Sequence, residues 1–364
     1  MKLDFFDQIL TEVAGAPART PHPEDSIFEG SAAADKMLKA LEFVLANPST
    51  VTIKWDGIPA LVFGRNVDGQ LVVADKYMFD VKDGSGRVTN PEAWVEYDRR
   101  RGANRGDLYQ RIATIWPGLE QVVGTTPGYF WGDLLWAGKL KPTAGSYVFK
   151  PNIVQYSVPV KSPLGQRISQ TNGGIVVHSY IANETAKPVP WNGTGLNLNA
   201  DVTILTPSAG IGFKLKDPVQ LHRAAATAIK QYSTLIDRFL AGLDGVAKQA
   251  IKTYMNKKIT GQTQEPLLEW LAQNVSGAQY RKLVGDNQGG YLHREQKGLT
   301  ALFAVWNAMY AFKENLTQQL EQQVKGFSQS IQGQPQGEGF VFSTDQGPIK
   351  LVQRSTFGRA LFNK

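Results

Sequence analysis

Cysteine is absent from the 364-residue chain. This absence excludes disulfide bonds, thiolate nucleophiles and zinc or iron–sulfur sites that are built on cysteine. Histidine is scarce as well, and the four residues His22, His178, His222 and His293 are scattered along the chain. A metal site that consists mainly of histidine ligands is therefore not expected.

Long apolar runs are also lacking. No stretch of about 18 apolar residues occurs, so the sequence predicts no membrane span. The N-terminus has an acidic residue, Asp4, inside its short apolar run and lacks the layout of a signal peptide. These absences predict a cytoplasmic protein, in which 42% apolar residues supply the core of one large or two smaller domains.

Two common catalytic motifs are missing. The chain contains no G-x-x-x-x-G-K-[ST] phosphate-binding loop and no G-x-S-x-G nucleophile elbow. The sequence therefore gives no support for a P-loop nucleotidase or for a serine hydrolase that is built on that elbow.

Positive charge exceeds negative charge, with 39 Lys and Arg against 32 Asp and Glu and a pI near 9.3. This balance favours a polyanionic partner, because nucleic acid releases counterions when cations bind its phosphates. Residues 217–330 carry 13 basic and 9 acidic side chains, which could contact a phosphate backbone or form a solvated helical surface. The basic pairs that would contact nucleic acid are Lys257 with Lys258 and Arg281 with Lys282.

The spacing of apolar residues divides the chain into a strand-rich part and a helical part. It predicts an α+β fold in which residues 1–216 and 331–364 form one domain and residues 217–330 form an inserted helical subdomain. A linker is predicted at residues 333–337. The predicted helices are 4–13, 31–46, 218–242, 244–257, 265–274 and 295–327, with further helical character over 91–123. The predicted strands are 51–54, 60–63, 71–74, 129–136, 146–149, 153–158, 174–180, 339–342 and 348–352.

Lys54 stands at the end of an apolar strand and is followed by Trp55, Asp56 and Gly57. A lysine there can project into a cleft, where burial or a nearby cation would make its amine a usable nucleophile. Asp56 would orient that amine or bind a metal-bridged phosphate, and Gly57 would let the backbone approach a ligand closely. The same four residues also fit a surface lysine before a hairpin turn.

Charged residues recur in the other apolar strands. Asp133 follows Trp131-Gly132, Glu338 stands just before the strand 339–342, and Lys350 lies within the last strand. A charge in an apolar strand is costly unless it is paired or functional. Each one alone could be a structural ion pair. Together with Lys54 they supply an amine, a cation for the α-phosphate, and carboxylates for ribose and a divalent metal.

The order of these elements resembles the covalent nucleotidyltransferase superfamily of DNA ligases, RNA ligases and mRNA capping enzymes. Its K-x-D-G motif is matched from Lys54 to Gly57, and its E-G-x-V-x motif is matched from Glu338. Its third motif is matched by Trp131-Gly132-Asp133, with Asp in place of Glu. More narrowly, the chain resembles ligase-like phage proteins that carry K-W-D-G-x-P-A, F-x-P-N and E-G-F-V-F elements. The resemblance covers residues 50–180 and 335–364 but not the helices of 217–330.

The resemblance implies an adenylation domain of antiparallel sheets with helices, in which Lys54 becomes covalently linked to AMP. It implies ATP as the AMP donor and Mg²⁺ as the divalent cation. ATP is favoured over NAD⁺, because no nicotinamide-binding module and no zinc-binding cysteines are evident. The implied roles are adenine recognition for Thr52, the basic residue on the neighbouring strand for Lys76, ribose contact and metal binding for Asp133, purine stacking for Phe149, metal binding for Glu338 and α-phosphate contact for Lys350.

Three departures from the superfamily pattern stand out. Pro59 occupies the position where ligases commonly have Arg, and Lys350 is a single lysine where a K-x-K pair is usual. The chain also stops at Lys364, which leaves no room for the C-terminal OB domain that grips duplex nucleic acid in DNA ligases. The helical insert would take over that grip, or strand joining is not completed by this chain.

Three hypotheses follow from the resemblance. The first is a monomeric ATP-dependent DNA ligase that seals nicks in duplex DNA during replication or repair. The second is an RNA ligase, and the third is a nucleotide-dependent binding module or protein modifier that adenylates without joining strands. A phage-encoded protein of this type would act in the host cytoplasm.

The segment from His22 to Asp25 is the remaining polar motif. We interpret it as a helix-capping loop, with contact to nucleotide or nucleic acid as the alternative.

Overall fold

The chain has a mixed α and β fold with antiparallel sheets and helices. Among the described residues, no helix is long and apolar enough to cross a bilayer. The helix predicted over residues 4–13 lies outside the described residues. The computed structural model describes residues 22–125, 127–207, 212–286, 289–344 and 347–362.

All nine predicted strands are present with their ends within two residues of the predicted ones, and four further short strands were not predicted. The bounds of the described strands are β1 (Val51–Ile53), β2 (Ala60–Arg65), β3 (Leu71–Asp75), β4 (Gly128–Ala137), β5 (Ser146–Phe149), β6 (Gln155–Pro159), β7 (Gly173–Ile181), β8 (Val189–Pro190), β9 (Thr203–Leu205), β10 (Ser328–Ile331), β11 (Gln334–Pro335), β12 (Phe340–Thr344) and β13 (Gly347–Leu351).

Three sheets are formed by the described strands. The first has the order β1–β12–β13, so it joins a strand near the start of the chain to two strands near its end. The second has the order β11–β10–β6–β5. The third has the order β3–β2–β4–β7–β8, and β9 lies beside β7 as a parallel strand. The other strand pairs are antiparallel.

The predicted helix over residues 31–46 is confirmed with the same bounds, and the helical character of 219–321 is confirmed as well. A short 3-10 helix, Pro23–Glu29, precedes the first of these helices. The α-helices are α1 (Ser31–Ala46), α2 (Lys76–Phe79), α3 (Pro91–Arg100), α4 (Gly106–Val122), α5 (Pro163–Ser169), α6 (Val219–Ala241), α7 (Gly245–Ile259), α8 (Leu267–Asn274), α9 (Gly277–Leu283), α10 (Tyr291–Arg294), α11 (Gln296–Glu321) and α12 (Arg359–Phe362).

The end of the long helix was predicted wrongly. It was expected to continue to residue 327, but α11 ends at Glu321, and Gly326 has a positive φ of 88° that favours glycine. The chain then forms β10, which pairs with β6, and the predicted linker contains β11. Helical spacing alone could not show that a distant strand competes for these residues.

The helices of the insert and the strands share one apolar core. Side chains of α6, α7 and α11 are buried in the same cluster as those of β1, β12 and β13. A second core lies between the six-stranded sheet and α4, which buries Ile112, Ile115 and Leu119. The division into two domains at residues 217 and 330 stays a prediction.

Candidate active site

The sheet β1–β12–β13 presents one polar face and one apolar face. Thr52 lies opposite Val341, which lies opposite Lys350, so these three side chains form a row across the sheet. Their neighbours Ile53 and Leu351 are buried in the core on the other face. Because strand side chains alternate, the partly exposed residues of this row share one face. The Thr52 hydroxyl donates to the Val341 carbonyl at 3.0 Å.

Lys54 directly follows β1, and its backbone N–H donates to the Gly339 carbonyl at 2.9 Å. Its ammonium donates to the Glu338 carboxylate, so the two residues form an ion pair. The Lys54 side chain is 32% exposed and that of Glu338 only 12% exposed, so the amine can be reached from solvent while its partner is enclosed. Burial raises the pKa of Glu338, although the charge of Lys54 acts in the opposite direction.

Gly57 explains why the loop after Lys54 can lie against β4. A Cβ atom at Gly57 would come within 2.5 Å of the Asp133 Cβ, so only glycine fits there. Asp133 lies opposite Ala60 of β2 and Val176 of β7. Burial raises the pKa of Asp133 to about 7, against the opposing effect of the Lys54 charge. The structure therefore brings Lys54, Glu338 and Asp133 together.

Asp56 has a different place from the one that the sequence suggested. Its buried carboxylate accepts hydrogen bonds from Asn152 Nδ2 at 2.7 Å, from the Ile153 N–H at 2.5 Å and from the Val154 N–H at 2.7 Å. Its own N–H donates to the Tyr156 hydroxyl at 2.7 Å. Both carboxylate oxygens are thus used to hold the loop at residues 152–154. Asp56 positions the backbone around Lys54 and does not turn its carboxylate to the amine.

Phe149 is not brought into this group. It is 5% exposed and packs against Trp136 and Tyr156, with ring centroids at 4.7 Å and 5.3 Å. Trp55, directly after Lys54, stacks on Tyr156 at 4.8 Å. Phe149 therefore belongs to an aromatic core beneath the loop. An aromatic residue in a strand fits a core as well as a ligand site, so its sequence could not distinguish the two.

Trp131 lies on the same strand as Asp133, and its ring contacts that of His178. Trp131 is two residues before Asp133 on β4, and its ring centroid is 5.4 Å from that of His178 on β7. His178 Nδ1 is 2.8 Å from the Ser179 hydroxyl. Burial, together with the charge of Lys54, lowers the pKa of His178 to about 4, so the imidazole is neutral at pH 7. The influence of Lys54 on His178 was not predicted from the sequence.

Lys76 lies near Trp131. It begins the short helix α2 directly after β3, whereas it was predicted to lie on the strand. The Asp75 side chain caps this helix by accepting from the Met78 N–H at 2.8 Å. The Lys76 ammonium lies 5.8 Å from the ring centroids of both Trp131 and Tyr77. Lys76 therefore places a cation beside the rings of Trp131 and Tyr77.

Asp133 and Glu338 are the carboxylates that could hold a divalent cation. The described part of the chain contains no group of three or more His, Cys, Asp or Glu side chains arranged for a metal. Mg²⁺ does not require one, because it is commonly held by one or two carboxylates together with substrate phosphates and water. The two residues present fit that donor set.

The predicted nucleic-acid contacts lie in the helical part. The Lys257 ammonium is 5.6 Å from the centroid of the Trp270 ring, and Lys258 donates to the Gln264 carbonyl. Lys282 pairs with Asp244 at 2.6 Å, and Arg281 is its neighbour on α9. These contacts leave the role of the four residues in nucleic-acid binding a prediction.

The capping interpretation of the His22 segment was wrong. His22 stands at the N-cap of the 3-10 helix but makes no side-chain capping hydrogen bond. Glu24 and Asp25 are buried, and both accept from Arg354 of the distant C-terminal segment. The motif is part of a buried group of charges, because long-range pairing has taken the carboxylates that a local cap would use.

Comparison with known proteins gives one family match. Residues 20–364 match the model described as a family of unknown function, DUF6267. No curated protein matches the chain, and no solved structure matches it. The match covers nearly the whole chain, including the strands of the site and the helices of residues 219–321. The chain therefore belongs to the DUF6267 family.

Proposed function

We propose that this protein is an ATP-dependent nucleotidyltransferase of the polynucleotide ligase type, with Lys54 as the residue that becomes adenylated. The observation that carries the proposal is the assembly of Lys54, Glu338, Lys350 and Asp133 from four separate stretches of chain. An amine, a second cation and two carboxylates at one place are the groups that nucleotidyl transfer needs.

The first step forms a bond between Lys54 Nζ and the α-phosphorus of ATP. The ammonium first gives up a proton, to Glu338 or to water that reaches the amine, since only the neutral amine is a nucleophile. The bond from the α-phosphorus to the bridging oxygen then breaks, and pyrophosphate leaves with that electron pair. The second nitrogen proton is lost as the phosphoramidate forms.

Lys350 would stabilise the phosphate during this step. It lies on the same sheet face as Thr52, two strands away from β1, and its charge acts on Glu338. A fixed cation at a phosphoryl group stabilises the negative charge of the transition state. Mg²⁺, held by Asp133 and Glu338, would neutralise phosphate charge when bound.

The nucleoside would lie against Trp131, His178 and Lys76. Neutral rings stack on a nucleobase, and a cation above a ring adds to that attraction. We therefore assign base stacking to Trp131 and His178 in place of the buried Phe149. Asp133 lies next to these rings, where a carboxyl can accept from or donate to a ribose hydroxyl.

The acceptor in the full reaction would be a 5′-phosphate at a nick in duplex DNA, and the net charge of +7 favours a polyanionic partner of this kind. An oxygen of the 5′-phosphate would attack the phosphorus of the lysyl-AMP, forming a phosphoanhydride bond while the bond from Lys54 Nζ to phosphorus breaks and the amine takes up a proton from water. The 3′-hydroxyl would then lose its proton to water and attack the 5′-phosphorus, and AMP would leave with the electron pair of the broken phosphoanhydride bond.

Self-adenylation tests the common first step. Protein is incubated with α-labelled ATP and Mg²⁺, and acid-stable label on the protein is counted. Wild type should be labelled and Lys54→Ala should not. Lys39→Ala is the matched control, since Lys39 is a surface lysine paired with Asp35 at 2.7 Å. Equal labelling of Lys54→Ala and wild type would contradict the proposal that Lys54 is the adenylated residue.

Nicked substrates then identify the acceptor. Sealing of nicked DNA but not nicked RNA supports the DNA ligase, and the opposite result supports the RNA ligase. Labelling of Lys54 without sealing of either would identify the protein as an adenylating module that modifies another acceptor.

A further inference from the structure

We propose that a buried charge cluster made by Glu24, Asp25, Lys313 and Arg354 positions Lys350 for phosphate contact. The inference rests on the proposed function, because it concerns the residue assigned to the α-phosphate there. Lys313 and Arg354 would not touch the nucleotide. They act through the strand that carries Lys350.

Arg354 is the centre of the cluster. Its Nη1 donates to Glu24 at 2.9 Å and to Asp25 at 2.8 Å, and its Nη2 donates to Asn256 of α7 at 2.9 Å. Arg354 is 6% exposed and Glu24 is fully buried. One guanidinium thus joins the 3-10 helix, the helical insert and the segment that follows β13.

Lys313 of α11 holds the same segment from a second point. Its ammonium, which is fully buried, donates to the Val352 carbonyl at 2.7 Å and pairs with Glu24 at 3.3 Å. It also pairs with Glu314 at 2.7 Å. Val352 comes two residues after Lys350, and Arg354 comes four residues after it. The backbone leaving β13 is therefore fixed twice within four residues of Lys350.

Further contacts tie the cluster to the insert. Trp306 of α11 donates its indole N–H to Asp25 at 3.1 Å, and the Lys252 ammonium of α7 lies 3.6 Å from Asp25. Burial and the charges of Arg354 and Lys350 lower the pKa of His22, which places Lys350 within electrostatic reach of the cluster.

The physical chemistry of buried ion pairs favours a positioning role. Removing two charges from water costs free energy that their attraction repays only with good geometry, so apolar residues of similar size often give equal or greater stability. What a paired cluster does provide is a single geometry, because each group must meet its partners. Fixing the exit of β13 in one geometry also fixes the direction of the Lys350 side chain on that strand.

One consequence concerns the helical insert. Because Lys313, Trp306, Asn256 and Lys252 all come from residues 219–321, the insert contributes to the adenylation site and is not only a clamp for nucleic acid. Variants in α11 at a distance from the nucleotide should therefore change the first step, before any nick is bound.

A double-mutant cycle with Lys313→Met and Lys350→Ala tests the inference. The readout is the single-turnover rate of self-adenylation at saturating ATP, with folding checked by circular dichroism. We expect Lys313→Met to lower the rate about tenfold when Lys350 is present, since a misplacement of about 1 Å can cost about 10²-fold and a smaller shift should cost less. In the Lys350→Ala background the loss should be under about twofold, because the residue through which Lys313 acts is gone. Equal losses in both backgrounds would overturn the proposal.

Asp237→Asn is the matched control. Asp237 of α6 accepts from the Ser31 N–H at 2.8 Å and from the Ser31 hydroxyl at 2.6 Å, so it also links the insert to the N-terminal part. It should show no coupling to Lys350→Ala. If Lys313→Met does not fold, Arg354→Lys replaces it in the double-mutant cycle with Lys350→Ala. This variant keeps the positive charge but loses the planar guanidinium that donates to several partners.

A second readout separates this inference from the proposed function. The rate at which an acetylating reagent modifies Lys350, measured by mass spectrometry of its peptide, does not depend on adenylation. We expect Lys313→Met to raise that rate about threefold by loosening the exit of β13, and Asp237→Asn to leave it unchanged. If wild type does not self-adenylate, the proposed function fails while this rate still tests the positioning. An unchanged rate in Lys313→Met would refute it.

Discussion

Two walls of the candidate site differ in chemical character. The charged wall is made by Lys54, Glu338 and Lys350. Lys54 directly follows β1, Glu338 lies just before β12, and Lys350 lies on β13. The ring wall, made by Trp131, Asp133 and His178, belongs to β4 and β7 of the six-stranded sheet. The two walls meet where the loop after Lys54 lies against β4, since a Cβ atom at Gly57 would come within 2.5 Å of the Asp133 Cβ. The charge of Lys54 acts on both Asp133 and His178.

The difference suggests a division of labour. The charged wall offers an amine and a second cation, which suit phosphate. On the ring wall, His178 is neutral at pH 7, and Asp133, with a pKa of about 7, is only partly ionised there. Neutral rings and a carboxyl suit a nucleoside. Changes on the charged wall should therefore lower the rate of adenylation, whereas changes on the ring wall should weaken ATP binding.

Lys350→Ala should have the largest effect of the variants that keep the nucleophile. Loss of one fixed donor to a transition-state charge typically costs about 10²–10³-fold in rate. We expect a single-turnover adenylation rate lower by about 10²-fold, with the KM for ATP changed much less. Lys350→Arg retains the charge and should recover part of the loss. A rate within twofold of wild type for Lys350→Ala would show that Lys350 does not stabilise the phosphate.

Trp131→Leu and His178→Ala should have the next largest effect, on the KM for ATP. Stacking on an aromatic side chain is worth about 1–3 kcal/mol per base, so we expect each variant to raise the KM for ATP about tenfold. The maximal adenylation rate should change less than the KM. Steady-state labelling at a series of ATP concentrations measures both quantities.

Phe149→Leu is the matched control for the ring wall. Phe149 is buried against Trp136 and Tyr156, so its loss should lower the free energy of unfolding by about 1 kcal/mol and leave the KM unchanged. A raised KM for Phe149→Leu with no change for Trp131→Leu would reverse the assignment of the stacking residue.

Lys76→Gln should have a smaller effect on the same constant. A partly exposed cation beside an aromatic ring contributes about 0.5–1 kcal/mol, which corresponds to roughly threefold in KM. Lys82→Gln, at an exposed position six residues later, is the control. An effect as large as that of Lys350→Ala would place Lys76 at the phosphates and not beside the base.

Asp133→Asn should give a small shift of stability that depends on pH. Burial raises the Asp133 pKa from 3.8 to about 7, so the folded protein holds a proton that the unfolded chain has lost over this range. Wild type therefore loses stability as the pH rises from about 4 to 7, and the variant does not lose this contribution.

Melting curves across that range measure the difference. We expect the melting temperature of Asp133→Asn to match wild type near pH 4 and to exceed it by a few degrees at pH 8. A difference that stays constant with pH would show that Asp133 is ionised throughout.

The charged wall could be predicted from the sequence because its residues stand in local patterns. Lys350 lies within an apolar strand, and Lys54 directly follows one. Strand alternation fixes the face on which Thr52 and Lys350 lie. The predicted strands at both positions are confirmed, and the structure adds that β1 and β13 flank β12 in one sheet.

The ring wall and the buried cluster could not be predicted in the same way. His178 reaches Trp131 only because β7 pairs with β4, and nothing near either residue indicates that pairing. Arg354 meets Glu24 across a separation of 330 residues. Phe149 was assigned to the ligand because it is an aromatic residue in a strand, whereas in the structure its ring is buried against Trp136 and Tyr156.

Peptide mapping of the adenylated protein is the most direct test of the central claim. Wild-type protein is incubated with ATP and Mg²⁺, digested, and analysed by mass spectrometry for peptides that carry one adenylyl group. We expect the modification on Lys54 and its absence from Lys54→Arg, in which the charge is kept but the amine nucleophile is lost. An adenylyl group on another residue, or none on any peptide of the folded wild-type protein, would contradict it.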